Sequence, residues 1–503
     1  MSRINTNVQS LIAQRVLSQN NTSLSSALER LSTGLRISRG KDDPAGLIAS
    51  ENLRSEQKAL NQAVGNAERA DQVVNIGEGG LQEVSSLLSE LQGLVTASAS
   101  SAGLSAEEKA ANQLQIDSIL QTIDRVASAT NFQGIKLLNG NMDFKTSGIV
   151  SGVSDIRVNG AKYSGSSLAV DVQVTQSAQQ AGLFLSAGAT SLALTAGSSL
   201  VIEIAGSKGS RELSFATGTT LNAVRDAINS FTDVTGVQAT VSGTGIKLNS
   251  KSFGSEEFVS VKVVNAAGIT GASSGIHQLT TTDFATAITG SQVEFAAATN
   301  AVRDQGQDVG ATINGVLATS KGKTARINTD FLDVELTLDT TKSQTLGSVG
   351  SGSAFLITGG GADFQLASRV DIVGRVSIGI IDVAARKLGN SDVGYLDSLA
   401  SGKANNVVNG DKTAAQDVVA EAIKQVSSLR GRLGAFQKNV VGATVRSLGV
   451  AIENTAAAES VIRDADFAAE TASLTRSQIL VNASTNILSL ANQAPQAALQ
   501  LLG

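Results

Sequence analysis

The chain has 503 residues, 42% of them hydrophobic, and a formal net charge of −5. That length allows roughly two to four domains, and the acidic balance lacks the basic patch of a nucleic-acid-binding protein. One His and no Cys or Trp exclude disulfides and thiol chemistry, and they leave few of the residue types from which catalytic sites are built. No apolar stretch is long enough to span a bilayer, and no run of like charge suggests a membrane-surface tail. The segment Met1–Val8 lacks the basic start and apolar block of a secretory signal, which by itself implies a cytoplasmic protein.

Along the chain, the first periodic stripe is Leu17, Leu24, Leu28, Leu31 and Leu35. Gly40-Lys-Asp-Asp-Pro-Ala-Gly46 then punctuates it, with Gly40, Pro44 and Gly46 flanking two acids. Asp42 and Asp43 could suggest a metal or acid–base pair. Adjacent acids at a helix start read better as capping and dipole partners, with Asp43 the cap and Pro44 in the first turn. A long ladder follows in steps of seven: Leu53, Leu60, Ala67, Val74, Leu81, Leu88 and Val95. Ala63, Ala70, Val84 and Leu91 complete its a/d seam. As one helix this stretch would run about 64 Å at 1.5 Å per residue. A small polar turn at Ser98–Ser105 leads to a third segment bearing Ile116, Ile119, Ile123 and Val126.

The centre differs. Most of the 50 glycines lie between 145 and 405, so the helical pattern stops there. Alternation predicts strands at 200–204, 257–264 and 332–338, and Thr220 caps a short helix running to Ile228. Strands recurring between turn signals indicate one or two small α+β modules. Beyond 405 the helical pattern resumes with Val419, Ala422, Val426, Leu429, Leu433, Phe436, Val440 and Ala443. The last stripe is Phe467, Leu474, Val481 and Leu488, with Leu480 and Ile487 beside it. The fold class is therefore mainly α at the paired N- and C-terminal ends, a long coiled-coil-like bundle, with central α+β or β-rich inserts in a multidomain chain.

Candidate chemistry is sparse. His277 has no second His and no acid cluster near it in sequence, and it reads as a surface or loop residue. Lys321-Gly-Lys-Thr324 resembles the end of a phosphate loop, but Leu317 stands where the first glycine belongs and a strand pattern follows. Gly359-Gly-Gly361 reads as a turn. No catalytic, cofactor or metal residues are assigned.

The inner ladders, including Leu53, Leu60, Val74, Leu81, Leu88 and Val95 with Val426, Leu429, Leu433, Phe436 and Val440, are expected to close a bundle within one chain. The outer stripes lie beyond the punctuation, and a lone helix pair is marginal in water. They are expected to join copies, and a head-to-tail contact that does not close gives a helical filament.

Several long motifs resemble the bacterial flagellin family. Leu31-Ser-Thr-Gly-Leu-Arg-Ile-Ser-Arg-Gly-Lys-Asp-Asp-Pro-Ala-Gly-Leu47 is similar to its N-terminal signature, and Asn131-Phe-Gln-Gly-Ile-Lys-Leu-Leu-Asn-Gly140 to the end of its N-terminal region. Glu459–Glu470, Gln478-Ile-Leu480 and Ala491–Leu502 resemble the C-terminal region. Residues 183–264 are similar to an insert found in some flagellins and hook-associated proteins, and Ala311–Leu366 resembles a second insert more weakly.

The resemblance implies a filament subunit for swimming motility, exported unfolded by the flagellar type III system. It would be cytoplasmic before export and part of the extracellular flagellum after it. It implies inner-tube helices at 1–41 and 460–503, a bundle with a β-hairpin region at 42–180 and 365–459, an outer α+β domain at 181–290, and a β-rich one at 291–364. The filament interface would comprise Leu17, Leu24, Leu28, Leu31, Leu35, Phe467, Leu474, Val481 and Leu488. Gly40, Asp42, Asp43, Pro44 and Gly46 would form the inter-domain bend. Implied partners are other copies, the flagellar cap and hook-junction proteins, and a cytoplasmic secretion chaperone at the C-terminal helix, with neither nucleic acid nor membrane.

Two departures stand out. Pro44 replaces the usual Ala. Aligned on Asp124-Arg-Val126, Leu88, Ser89 and Glu90 occupy the Leu-Gln-Arg patch read by the host innate receptor. That charge reversal opposes binding, so weak receptor activation is expected. The alternatives are a hook–filament junction or minor filament protein, and an adhesive surface filament subunit whose residues 181–364 carry a glycan or host-cell ligand.

Overall fold

The computed structural model describes residues 6–100, 103–269, 274–278 and 292–500, with side chains to 493 in the last helix. Its helices are α1 (Val8–Thr33), α2 (Pro44–Ala99), α3 (Ala106–Ala129), the short α4 (Leu221–Asn229), α5 (Thr232–Thr235) and α6 (Thr340–Gln344), then α7 (Lys412–Ala435), α8 (Gly442–Arg463) and α9 (Phe467–Gln500). The ladder from Leu53 to Val95 lies within the 56-residue α2, about 84 Å long at 1.5 Å per residue. The chain forms two compact units: Met1–Gln72 with Phe364–Gly374 and Ala435–Gly503, and Val73–Asp363 with Arg375–Gly434.

In the second unit, α2, α3 and α7 each bury one stripe. Leu81, Val84, Leu88 and Leu91 on α2 are fully enclosed, as are Ile116 and Ile123 on α3 and Val419, Ala422, Val426 and Leu433 on α7. Removing each such Leu or Ile from water contributes about 1.5–3 kcal/mol. Polar links set the helices' register: Arg430 pairs with Glu78 at 2.8 Å, and Asn112 donates to Ser98 Oγ at 3.0 Å. The turn before α3 ends in a capping box. Ser105 Oγ accepts from the Glu108 N–H, and the Glu108 carboxylate accepts from the Ser105 N–H.

The central sheets pair antiparallel strands around two cores. The first core joins the sheet of Val302–Gln305, Phe258–Asn265, Ser199–Gly206 and Ser210–Ala216 to strands that include Val237–Ser242, Gly245–Ser250 and Gly182–Ser186. Helix α4, capped by Thr220, turns Leu221, Val224 and Ile228 into that core.

The second core departs from the sequence expectation of a module at 291–364. Strand Val153–Ala161 pairs with Leu332–Leu338, and Val172–Gln176 pairs with Gly310–Ile313. Residues 144–178 and 309–357 thus share one core around Phe355, Val334 and Leu336. The physical reason is edge satisfaction: both strand sets alternate apolar and polar, and each leaves unpaired backbone edges unless the other covers them. Strand Val302–Gln305, expected in the second module, belongs to the first.

One helix ladder also shifts. The stripe on α7 runs correctly to Phe436, but Phe436–Val441 is a π-helical turn. The extra residue moves the buried position from Val440, which is half-buried, to Val441, and then to Leu448. Ala443, expected on the seam, is exposed. A π-bulge inserts one residue into the helical register, and single-sequence heptad counting has no signal for it.

Candidate assembly surface

Within the first unit, α1 and α9 run antiparallel. Asn7 Nδ2 donates to the Ala491 carbonyl at 2.8 Å, Asn20 Nδ2 to Ser484 Oγ at 2.7 Å, and Arg30 pairs with Glu470 at 3.1 Å. Each helix buries one heptad stripe. On α1 the buried positions are Ser10, Ala13 and Ala27; on α9 they are Ser477, Ser484 and Ala491. Between them sit the half-buried Leu17, Leu24, Leu31, Leu474, Val481 and Leu488. Small residues at alternate rungs let the two backbones approach closely, and the larger side chains flank them.

This placement adds an intrachain contact to the sequence reading. The stripe expected to join copies lines the seam between α1 and α9 of one chain, because the two terminal stripes are the nearest complementary faces. Leu35 is also half-buried, beyond the end of α1. Of the expected interface residues, Leu28 and Phe467 are open to solvent, Phe467 at 63% exposure. The other exposed aliphatics on these two helices include Leu11, Ile12, Ile479, Leu480, Ile487 and Leu490. Leu480 and Ile487 adjoin the heptad in sequence; the rest carried no periodic signal. Ile12 and Val16 face Ile487 and Leu490 across an apolar groove of about 560 Å³.

Both terminal segments leave the helical path together. The Arg36 N–H donates to the Arg463 carbonyl at 2.7 Å, and the Ala465 N–H to the Gly34 carbonyl at 2.9 Å. Gly34 closes α1 in the left-handed region at φ 71°, where a side chain would be strained. Asp42 accepts from the Arg39 and Ser38 N–H groups, and the Arg39 bond leads in holding its carboxyl below the usual range. Asp43 Oδ1 accepts from the Gly46 N–H at 2.9 Å, the N-cap that the sequence suggested, with Pro44 at the first helical position. A Cβ on Gly46 would stand 2.4 Å from Asp43 Oδ2 and 2.7 Å from Ile37 Cδ1, so a side chain there would push the capping carboxylate aside. Gly40 lies in the exposed turn before the cap.

Among the inner-ladder residues, Leu60, Val74, Leu81, Leu88, Val95, Val426, Leu429, Leu433 and Phe436 are buried, while Leu53 is half-buried. Leu88 is 0% exposed, so it presents nothing to a receptor; of the altered patch only Ser89 and Glu90 reach solvent. A heptad core position cannot also be a surface contact.

His277 lies on strand Gly275–Gln278 rather than in a loop, edge-on to Phe184 at 6.2 Å between ring centroids. Lys321–Thr324 spans the turn between strands Thr319–Lys321 and Thr324–Asn328, with no helix to bind phosphate. Among the described residues, no group of three His, Asp or Glu could hold a metal, and no helix is long and apolar enough to cross a membrane.

Comparison with known proteins agrees with this architecture. Residues 4–143 match the bacterial flagellin N-terminal helical region, 416–502 the C-terminal helical region, and 199–252 the flagellin hook IN motif. The chain is 30% identical to flagellins of Salmonella rubislaw and Salmonella typhimurium, each over 99% of both chains. It is 28% identical to the B-type flagellin of Pseudomonas aeruginosa over the same share. Among solved structures, the D1–D2–D3 domains of the Escherichia coli flagellar cap protein FliD align with a TM-score of 0.27 and 17% identity, over 48% of this chain and 64% of that one. Helical regions at both ends of the chain and a sheet-rich stretch between them in sequence are those of a structural subunit. The chain belongs to the bacterial flagellin family. It is a flagellar filament protein and not an enzyme.

Proposed function

We propose that the chain is exported unfolded through the flagellar type III apparatus and adds to the end of a growing extracellular filament used for swimming. The observation that carries this reading is the surface of α1 and α9. Their seam is made of small and half-buried side chains, while Phe467, Ile479, Ile487 and Leu490 remain in water. Two helices so joined gain little stability alone, and contacts with further copies would cover what is left. Gly40–Gly46 acts as the bend between α1 and α2, and the two sheet cores decorate the filament surface.

The same exposed face of α9 suits a cytoplasmic chaperone before export, and the flagellar cap and hook-junction proteins are the expected partners at the filament ends. Exposed Glu90 and Ser89 in place of Arg and Gln weaken recognition by the host innate receptor. A reporter response as strong as that to an enteric flagellin would contradict that part.

The test of the main reading is seeded growth. Purified full chain added to sheared filament seeds should elongate them, as seen by electron microscopy. Subunits that bind seeds but never elongate would instead identify a junction protein. Retention of the chain inside cells that lack the flagellar export apparatus would support the export route, and its normal appearance in the medium would overturn it.

A further inference from the structure

Among the described residues, the chain passes between the two sheet cores at two places. Ala178 is buried in the second core and Ala181 in the first, so the outward crossing is the short run between them. The return runs from Val302, in the first core, to Val309, in the second. Short crossings of this kind are where hinges form, because a few residues can absorb the rotation of one domain on another. Here they are tied to each other. The Gln179 N–H donates to the Gln307 carbonyl at 2.8 Å, and the Gln307 N–H to the Gln179 carbonyl at 3.0 Å.

A third segment, the loop before strand Phe258–Asn265 of the first core, closes on the same point. The Gly254 N–H reaches the Gln179 carbonyl at 3.2 Å, and the Gly306 N–H donates to the Glu257 carbonyl at 2.9 Å. Phe253 of this loop packs on the second core. The backbones lie too close for side chains between them. A Cβ on Gly306 would stand 2.4 Å from the Gly254 carbonyl oxygen, and one on Gly254 2.9 Å from Gly322 Cα.

Asp308 sits where these segments meet. Its Oδ1 accepts from the Ser255 N–H at 3.1 Å, on the first core's loop. The same oxygen accepts from the Gly322 N–H at 2.6 Å, in the turn between strands Thr319–Lys321 and Thr324–Asn328 of the second core. The Ser255 hydroxyl donates to Oδ2. A carboxylate makes stronger hydrogen bonds than a neutral acceptor, and this one draws its donors from both cores. Lys321 also pairs with Glu256 across the joint at 2.7 Å, but both side chains are about three-quarters exposed, and such pairs contribute little.

We infer that the Asp308 carboxylate is a lock that holds the 181–305 module in one direction on the second core, where a hinge would otherwise lie. It is a positioning residue, and the two modules move as one body while it is in place. This goes beyond the filament role and does not depend on it, since the lock acts within a single chain.

The chain has no Cys, so nitroxide labels on Ser214→Cys and Leu317→Cys report cleanly. Both positions are exposed, one on each core's sheets. In the monomer, pulsed electron paramagnetic resonance should give one narrow distance distribution. Adding Asp308→Ala should at least double its width, with an unchanged circular dichroism spectrum. Asp308→Asn, which gives up the charge and one acceptor oxygen, should broaden it less, and it decides the question if the Ala variant does not fold. Lys321→Ala should leave the width as it was. A broad distribution in the labelled chain without further substitution, or no broadening in a folded Asp308 variant, overturns the inference. Broadening by Lys321→Ala as large as by Asp308→Ala overturns the assignment to the carboxylate.

Discussion

The bundle of the second unit and the α1–α9 pair of the first are written with the same seven-residue period, yet they fold to different ends. In the bundle the repeating positions are Leu, Ile and Val, and many are fully enclosed. In the terminal pair the buried rungs are Ser and Ala, and the Leu rungs are only half-covered. The period says where a helix will find a partner. The size of the residue at the buried rung says whether that partner is enough. Large rungs give a core that stands alone, and small rungs give a close pair whose apolar flanks still face water.

The difference should be measurable, most strongly in the core. Leu88→Ala should lower monomer stability by about 2–5 kcal/mol in denaturant unfolding, because it leaves a cavity where nothing was exposed. Val481→Ala, one rung of the terminal seam, should cost under about 1 kcal/mol in the same assay, since the site is already half-open. Equal losses would erase the distinction between the two seams.

A second contrast comes from pH. Burial raises the Asp143 carboxyl to about 6, against the pull of the Phe144 N–H and of Arg432, and Asp382 adds to the rise. A carboxyl raised in the folded state binds protons more tightly there than in the unfolded chain. Its neutral form is therefore favoured in the fold, and stability falls as pH rises from about 4 through about 6. The cost above that window is up to about 3 kcal/mol. Asp143→Asn keeps an acceptor for the Phe144 N–H and should raise stability at pH 7 by about 1–3 kcal/mol, with little gain at pH 4. Melting curves at the two pH values decide it, and a variant less stable at pH 7 would contradict the assignment.

A modest effect sits at the bend. Asp43→Ala removes the N-cap of α2 and should cost about 1 kcal/mol. If the turn positions the terminal pair, the same variant should also slow seeded elongation. A stability loss with unchanged elongation would make the cap purely structural.

Much of this organisation was legible in the sequence. The ladder from Leu53 to Val95, the Asp43–Pro44 cap, the strands near 200, 258 and 332, and helix α4 after Thr220 all lie where residue pattern alone puts them. These features are local, and each is encoded by the residues that form it. What pattern missed is set at long range. The pairing of 153–161 with 332–338 spans the whole first module. The π-turn at Phe436–Val441 adds a residue that heptad counting cannot see. The outer stripes were visible as stripes, but their small rungs at Ser477, Ser484 and Ala491 fell outside the apolar count. Pattern alone therefore shows the stripes but not the seam they build with α1.

The central claim is that the terminal pair folds within a chain but is completed by its neighbours. Phe467, the large exposed side chain that opens α9, tests it most directly. Full-length Phe467→Asp chain should be compared with the unsubstituted chain in seeded elongation, scored as filament length by electron microscopy beside a melting curve of the monomer. The account predicts an unchanged melt and no elongation. Filaments of normal length from the variant would contradict it.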